Sequence, residues 1–176
     1  MKKLTKTFKS KYLSIETKIK QFHTYIDTVF LYNSEVWTTT PTINKQIDAF
    51  HRRLLRTAIN KTWPKHTYTN EQLYEITKVT PWSTIIKNRR LNWTGHLFRL
   101  PKHTPARRAL EEAARPTQRK PGRPPANWLS CVKRDLQSII NLPADPQEAL
   151  KTLDELAGDR DQWRGIVKGC STVRKD

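Results

Sequence analysis

The chain has 176 residues, 33 Lys or Arg against 16 Asp or Glu, and a formal net charge of +17. A soluble domain needs a net charge only on the order of 2 to 8, so this excess points to a polyanionic partner whose counterions are released on binding. Cys131 and Cys170 stand far apart and give no disulfide framework, and Val29 to Tyr32 is the longest apolar run near the Lys-rich start, so neither secretion nor membrane spanning is expected and an intracellular, nuclear or cytoplasmic setting is.

Helical spacing of apolar residues runs through the chain without a convincing strand pattern, so a mostly α fold is predicted. Ser14 is a plausible N-cap for a helix over 14–34 whose apolar stripe is Ile15, Ile19, Phe22, Ile26, Val29 and Phe30. Thr40-Pro41 then opens a second helix, with Ile43, Ile47, Phe50, Leu54 and Ala58 on one side. Lys45, Arg52 and Arg56 fall opposite that stripe and Arg53 on its flank. A solvated face has the same pattern as a polyanion contact here.

Thr69-Asn70-Glu71-Gln72 has capping-box form and predicts a short helix with Leu73 and Ile76 as its apolar edge, stapled by Tyr68 or Tyr74. Pro81 opens a longer helix over 82–100, with Trp82, Ile86, Trp93, Leu97 and Leu100 as its main face and Leu91 and Phe98 elsewhere on the circumference. Gly95 would let a neighbour approach closely. Asn92, His96 and Arg99 form a polar stripe beside Arg89, suited to tracking a phosphate backbone or pairing with bases.

Charge is concentrated in this part of the chain. Residues 83–134 hold 13 Lys or Arg and two acids, a net +11, whereas 1–82 carry +8 and 135–176 carry −2. Within the dense stretch, Ala106 to Arg115 reads as a short helix and Thr117 to Pro125 as an extended Pro/Arg-rich segment. Its Gly122-Arg123-Pro124 core resembles an AT-hook, with Pro121 where that motif has its first arginine; a basic linker touching phosphates is the plainer reading. Helix resumes near Ala126 with Trp128, Leu129, Val132, Leu136 and Ile139. After Pro143 to Pro146 come two short helices, one with Leu150, Leu153 and Leu156, the other capped by Asp159 and carrying Trp163, Ile166 and Val167.

No catalytic constellation accompanies the charge. The histidines and cysteines lack metal-site spacing, Glu111-Glu112 is the only acidic pair in the basic stretch, and glycine-rich phosphate loops and Gly-x-Ser-x-Gly motifs are missing. No cofactor and no small-molecule substrate are expected. Trp93 and Trp128 suit base stacking by type, but both lie on apolar stripes, where core packing is the plainer role.

Leu31-Tyr32-Asn33-Ser34-Glu35-Val36-Trp37, Phe50-His51-Arg52-Arg53-Leu54-Leu55-Arg56 and the block Arg89 to Pro101 occur in an order that resembles the C-terminal portion of a non-LTR, LINE-type retrotransposon reverse transcriptase. Gly122 to Pro125 before Trp128-Leu129, and Asp159 to Arg164, extend the resemblance over roughly residues 10 to 168. It implies a helical thumb-like bundle over 1–62, a short helix and a long basic helix over 63–101, a Pro/Arg-rich linker over 102–125 and C-terminal helices over 126–176. It further implies that Arg52, Arg53 and Arg56 flank a thumb-like groove, while Arg89, Arg90, His96 and Arg99 belong to a basic extension.

Together with Lys45, Lys87, Arg119, Lys120 and Arg123, these residues are the expected nucleic-acid contacts, and RNA, DNA and the palm of a reverse transcriptase are the expected partners. Asn33 stands where that family usually has glycine, at an expected tight turn. The palm's paired aspartates have no counterpart in the sequence, so no polymerase activity is expected of the chain alone. A Met1 directly before the thumb-like region fits a 5′-truncated copy.

Overall fold

The structure is a computed structural model that describes residues 2–61, 68–113, 127–137 and 139–172. It is mostly α, and among the described residues no strand occurs. Internal packing divides the chain into two compact units, one of residues 1–33 and 41–85, the other of 34–40 and 86–176.

The first unit contains α1 (Lys2–Lys9), α2 (Ile15–Phe22), α3 (Thr28–Phe30), α4 (Pro41–Ala58), α5 (Asn70–Thr77) and the first turn of α6 (Trp82–Arg99). Ser14 caps α2 by accepting from the Thr17 amide at 3.1 Å, which satisfies one of the free N–H groups of a helix start. A wider π-helical turn, His23–Asp27, joins α2 to α3. Such a turn inserts an extra residue into the helical register. The inward face therefore passes from Ile26 to the half-buried Phe30 and the buried Leu31, and Val29 is left 76% exposed. This corrects the simple 3.6-residue stripe, which put Val29 in the core.

Helix α4 begins at Pro41, as the proline at the first helical position requires. Its buried residues are His51, Leu54, Leu55 and Ala58, whereas Ile43 and Phe50, expected on the apolar stripe, stay substantially exposed. Thr69 and Gln72 form the reciprocal capping box at the start of α5, and Leu73 seats that helix in the core while Ile76 faces out.

Trp82 centres the unit's aromatic core. It stacks on Phe30 at 4.0 Å and on His51 at 4.4 Å, and its indole N–H donates to Asp27 Oδ1 at 2.9 Å. Asn33 takes φ 55°. Asn is among the few non-glycine residues that adopt this left-handed conformation readily, so a tight turn forms here without glycine.

The second unit comprises the rest of α6 with α7 (Pro105–Ala113), α8 (Trp128–Leu136), α9 (Pro146–Gly158) and α10 (Arg160–Thr172). Residues 105–113 supply the short helix expected inside the basic stretch, and its Leu110 joins a core with Leu97, Leu136, Leu153 and Trp163. A Cβ on Gly95 would lie 2.3 Å from Trp163 Nε1, and that nitrogen donates to the Leu91 carbonyl at 2.9 Å. Only glycine lets the indole sit flat on α6.

The short segment 34–40 is held by side chains of α6 and α8. Arg90 donates to the Trp37 carbonyl and to Thr39 Oγ1, Arg134 and Cys131 donate to the Thr39 carbonyl, and the Trp128 indole N–H donates to the Glu35 carbonyl. Asp145 caps α9 and Asp159 caps α10, each accepting two backbone N–H bonds. Among the described residues no helix is long and apolar enough to cross a membrane.

Candidate nucleic-acid interface

Helix α6 is buried around much of its circumference, because Ile86, Leu91, Leu97 and Phe98 all point into packed surroundings. What remains outward is a polar stripe at helical spacing: Arg89, Asn92, His96 and Arg99 are exposed and Trp93 is half-buried beside them. Arg89, Asn92, Trp93 and His96, with Glu35 from the clamped segment, line an open groove of about 400 Å³. The Trp93 and His96 rings lie 5.1 Å apart at 32°.

At the end of that stripe Arg99 donates to the Ala157 carbonyl at 2.9 Å, one of the carbonyls that the last turn of a helix leaves without a partner. Its pKa is lowered, first by burial and then by the positive charges of Arg160 and Arg164. Arg164 also pairs with Asp161 at 3.0 Å, and an anion placed beside Arg99 and Arg160 would offset the remaining positive charge. Arg160 and Arg164 were not among the expected contacts, since they lie in a segment of net negative charge. Their signal was the i, i+4 spacing on either side of the buried Trp163.

Two arginines of the basic stretch are withdrawn from this surface. Arg90 is 1% exposed and pairs with Asp135, so its expected contact with a polyanion is corrected to an internal ion pair that anchors segment 34–40. Asp135 has a raised pKa because it is buried, an effect that Arg90 opposes by attraction and hydrogen bonding. Arg107 is likewise buried, bonded to Glu111 and Asp154 at 2.9 and 2.8 Å with its guanidinium 4.3 Å over Phe98. Lys87 is half-buried, and Lys133 donates to the carbonyls of Pro143 and Ala144.

In the first unit Lys45 and Arg53 are exposed on α4, Arg53 lying 5.3 Å over the Phe50 ring. Arg52 and Arg56 are half-buried, and Arg56 donates to the Tyr68 carbonyl and Asn70 Oδ1, tying α4 to the start of α5. The structure thus gathers Arg89, His96 and Arg99 on one face and gives Arg56 a bridging role. Arg119, Lys120 and Arg123, with the AT-hook-like segment, lie outside the described residues. Among the described residues no group of three or more His, Cys, Asp or Glu is placed to hold a metal ion.

No family model matches the chain, and no solved structure matches it. It is similar to a curated Caenorhabditis elegans protein named "Putative uncharacterized transposon-derived protein", with 22% identity over 158 residues that cover 88% of this chain and 55% of that one. The chain therefore spans about half the length of that relative.

Proposed function

We propose that this chain is a basic, helical nucleic-acid-holding segment derived from a retroelement, akin to the C-terminal region of a LINE-type reverse transcriptase, and that it grips template RNA or primed DNA mainly through phosphates. The observation that carries the reading is the exposed stripe of Arg89, Asn92, His96 and Arg99 along α6, with the positive charges of Arg160 and Arg164 acting on Arg99 at its end. Similarity to a transposon-derived protein supports the retroelement origin. Arg90 and Arg107 take no part in the grip, since each is occupied by carboxylates.

On this reading the chain positions substrate and leaves polymerisation to another segment, because the paired aspartates of a palm are missing from its sequence. Binding of an RNA–DNA hybrid at increasing salt tests the proposal. Log K should fall linearly with log salt at a slope of about −0.9 for each phosphate contacted on B-form DNA, and similarly steeply on a hybrid. A flat response would overturn it.

A second reading rests on its own observation. Tyr25, Val29 and Tyr32 are 57%, 76% and 79% exposed across the π-helical turn, α3 and the turn that follows, apolar side chains suited to packing against a protein segment such as a palm. Loss of primer extension by a separately expressed palm when Val29→Asp and Tyr32→Ser are introduced would favour it, and unchanged extension would count against it.

A further inference from the structure

We infer that the groove formed by Glu35, Arg89, Asn92, Trp93 and His96 is a seat for one unpaired nucleobase, preferably one that carries an exocyclic amine. The inference deepens the nucleic-acid reading above and rests on it. A phosphate by itself does not account for this groove, because a tetrahedral anion gains little from an aromatic wall and is repelled by a carboxylate. A base accounts for each part.

Trp93 packs part of its ring against the core of the second unit and is only half-buried. His96, one turn away, lies with its ring 5.1 Å from it at a tilt of 32°, so the pair offers two adjoining aromatic surfaces for a flat π-system. The groove's volume of about 400 Å³ lies within the ~300–1,000 Å³ range of small-ligand sites, and its open side admits a base that remains attached to its strand. The Glu35 backbone is fixed beside the groove, since the Trp128 indole N–H donates to its carbonyl at 2.8 Å, and the residue forms part of the lining.

An ionised carboxylate only accepts hydrogen bonds, whereas the Asn92 amide both donates and accepts. The lining therefore favours guanine, adenine or cytosine over uracil, with guanine best because both its N1–H and its amine donate to a carboxylate. Arg89 and the Arg99 cluster then face the flanking phosphates.

The test uses the full chain and three single-stranded RNA probes: oligouridylate, the same strand with one central guanosine, and the same strand abasic at that position. Stacking of one base on an aromatic side chain predicts roughly tenfold tighter binding of the guanosine probe than of the abasic one, with the all-uridine strand between them. Trp93→Ala should bring the guanosine and abasic probes to equal affinity, and Glu35→Gln should erase the preference for guanosine over uridine, each with the salt slope unchanged. Where Trp93→Ala loosens the fold, Asn92→Ala at an exposed position and Glu35→Gln carry the test, and at least one must remove the discrimination. Equal, salt-steep binding of all three probes by the natural protein would overturn the base seat and leave the phosphate grip standing. No binding to any probe at low salt would remove both.

Discussion

His51 is fully buried with neither ring nitrogen hydrogen-bonded, its ring laid on Trp82. Burial, and then the positive charges of His23 and Arg52, hold its pKa down to about 3 from the usual 6.5. Between those values the unfolded chain takes up a proton that the folded chain refuses, so stability is full above pH 6.5 and falls as the pH drops toward 3. His51→Phe keeps an aromatic ring in the stack and removes this dependence. Melting temperatures measured from pH 7 to pH 4 should fall more steeply for the natural protein than for the variant; parallel curves would contradict the assignment.

Arg90 shows what a sequence pattern misses. Its place among polar neighbours reads as exposed, yet its partner Asp135 lies 45 residues away and both are buried. Breaking such a pair leaves an uncompensated buried charge, so Arg90→Gln should destabilise the fold by about 3 kcal/mol. Arg90→Lys should rescue little, since one ammonium group cannot reproduce the fork that reaches Asp135, Trp37 and Thr39 together. Denaturant unfolding measures both.

At the scale of elements, what was readable depended on local chemistry. Ser14, Thr69 and Asp159 cap the helices they were expected to cap, and Pro41 starts α4, because each signal acts within three residues of itself. Gly95 was readable as a close-approach site, though Trp163 as the neighbour was not. Gly95→Ala should displace that indole and cost roughly 1 to 3 kcal/mol through overpacking, visible in near-ultraviolet dichroism and in unfolding; an unchanged protein would mean that the indole shifts freely.

The π-helical turn at His23–Asp27 was not readable, because it leaves no mark in apolar spacing and its last residue, Asp27, meets Trp82 from 55 residues away. It makes opposite predictions for adjacent residues. Phe30→Ala removes the ring stacked on Trp82 at 4.0 Å and should cost about 3 kcal/mol, whereas Val29→Ser should stay within about 0.5 kcal/mol, as at other surface positions. Reversal of that order would place Val29 inside.

For the whole molecule, a charge excess visible in composition becomes two kinds of arginine in the structure. Arg90 and Arg107 hold the second unit together, while Arg89, Arg99, Arg160 and Arg164 are exposed, and the charges of Arg160 and Arg164 act on Arg99. Composition separates neither group from the other, since the burial of Arg90 and Arg107 rests on Asp135 and Asp154 from distant parts of the chain. The candidate face was thus half legible: the α6 stripe followed from helical spacing, and the contribution of α10 required the fold.

Replacing Arg89, Arg99, Arg160 and Arg164 together with glutamine, and comparing the salt dependence of RNA–DNA hybrid binding with that of the natural protein, tests the central claim most directly. The account predicts weaker binding at low salt and a slope of log K against log salt that is shallower by roughly one for each phosphate no longer neutralised, with the helical signal and melting behaviour retained. Unchanged affinity and slope in the folded variant would contradict it.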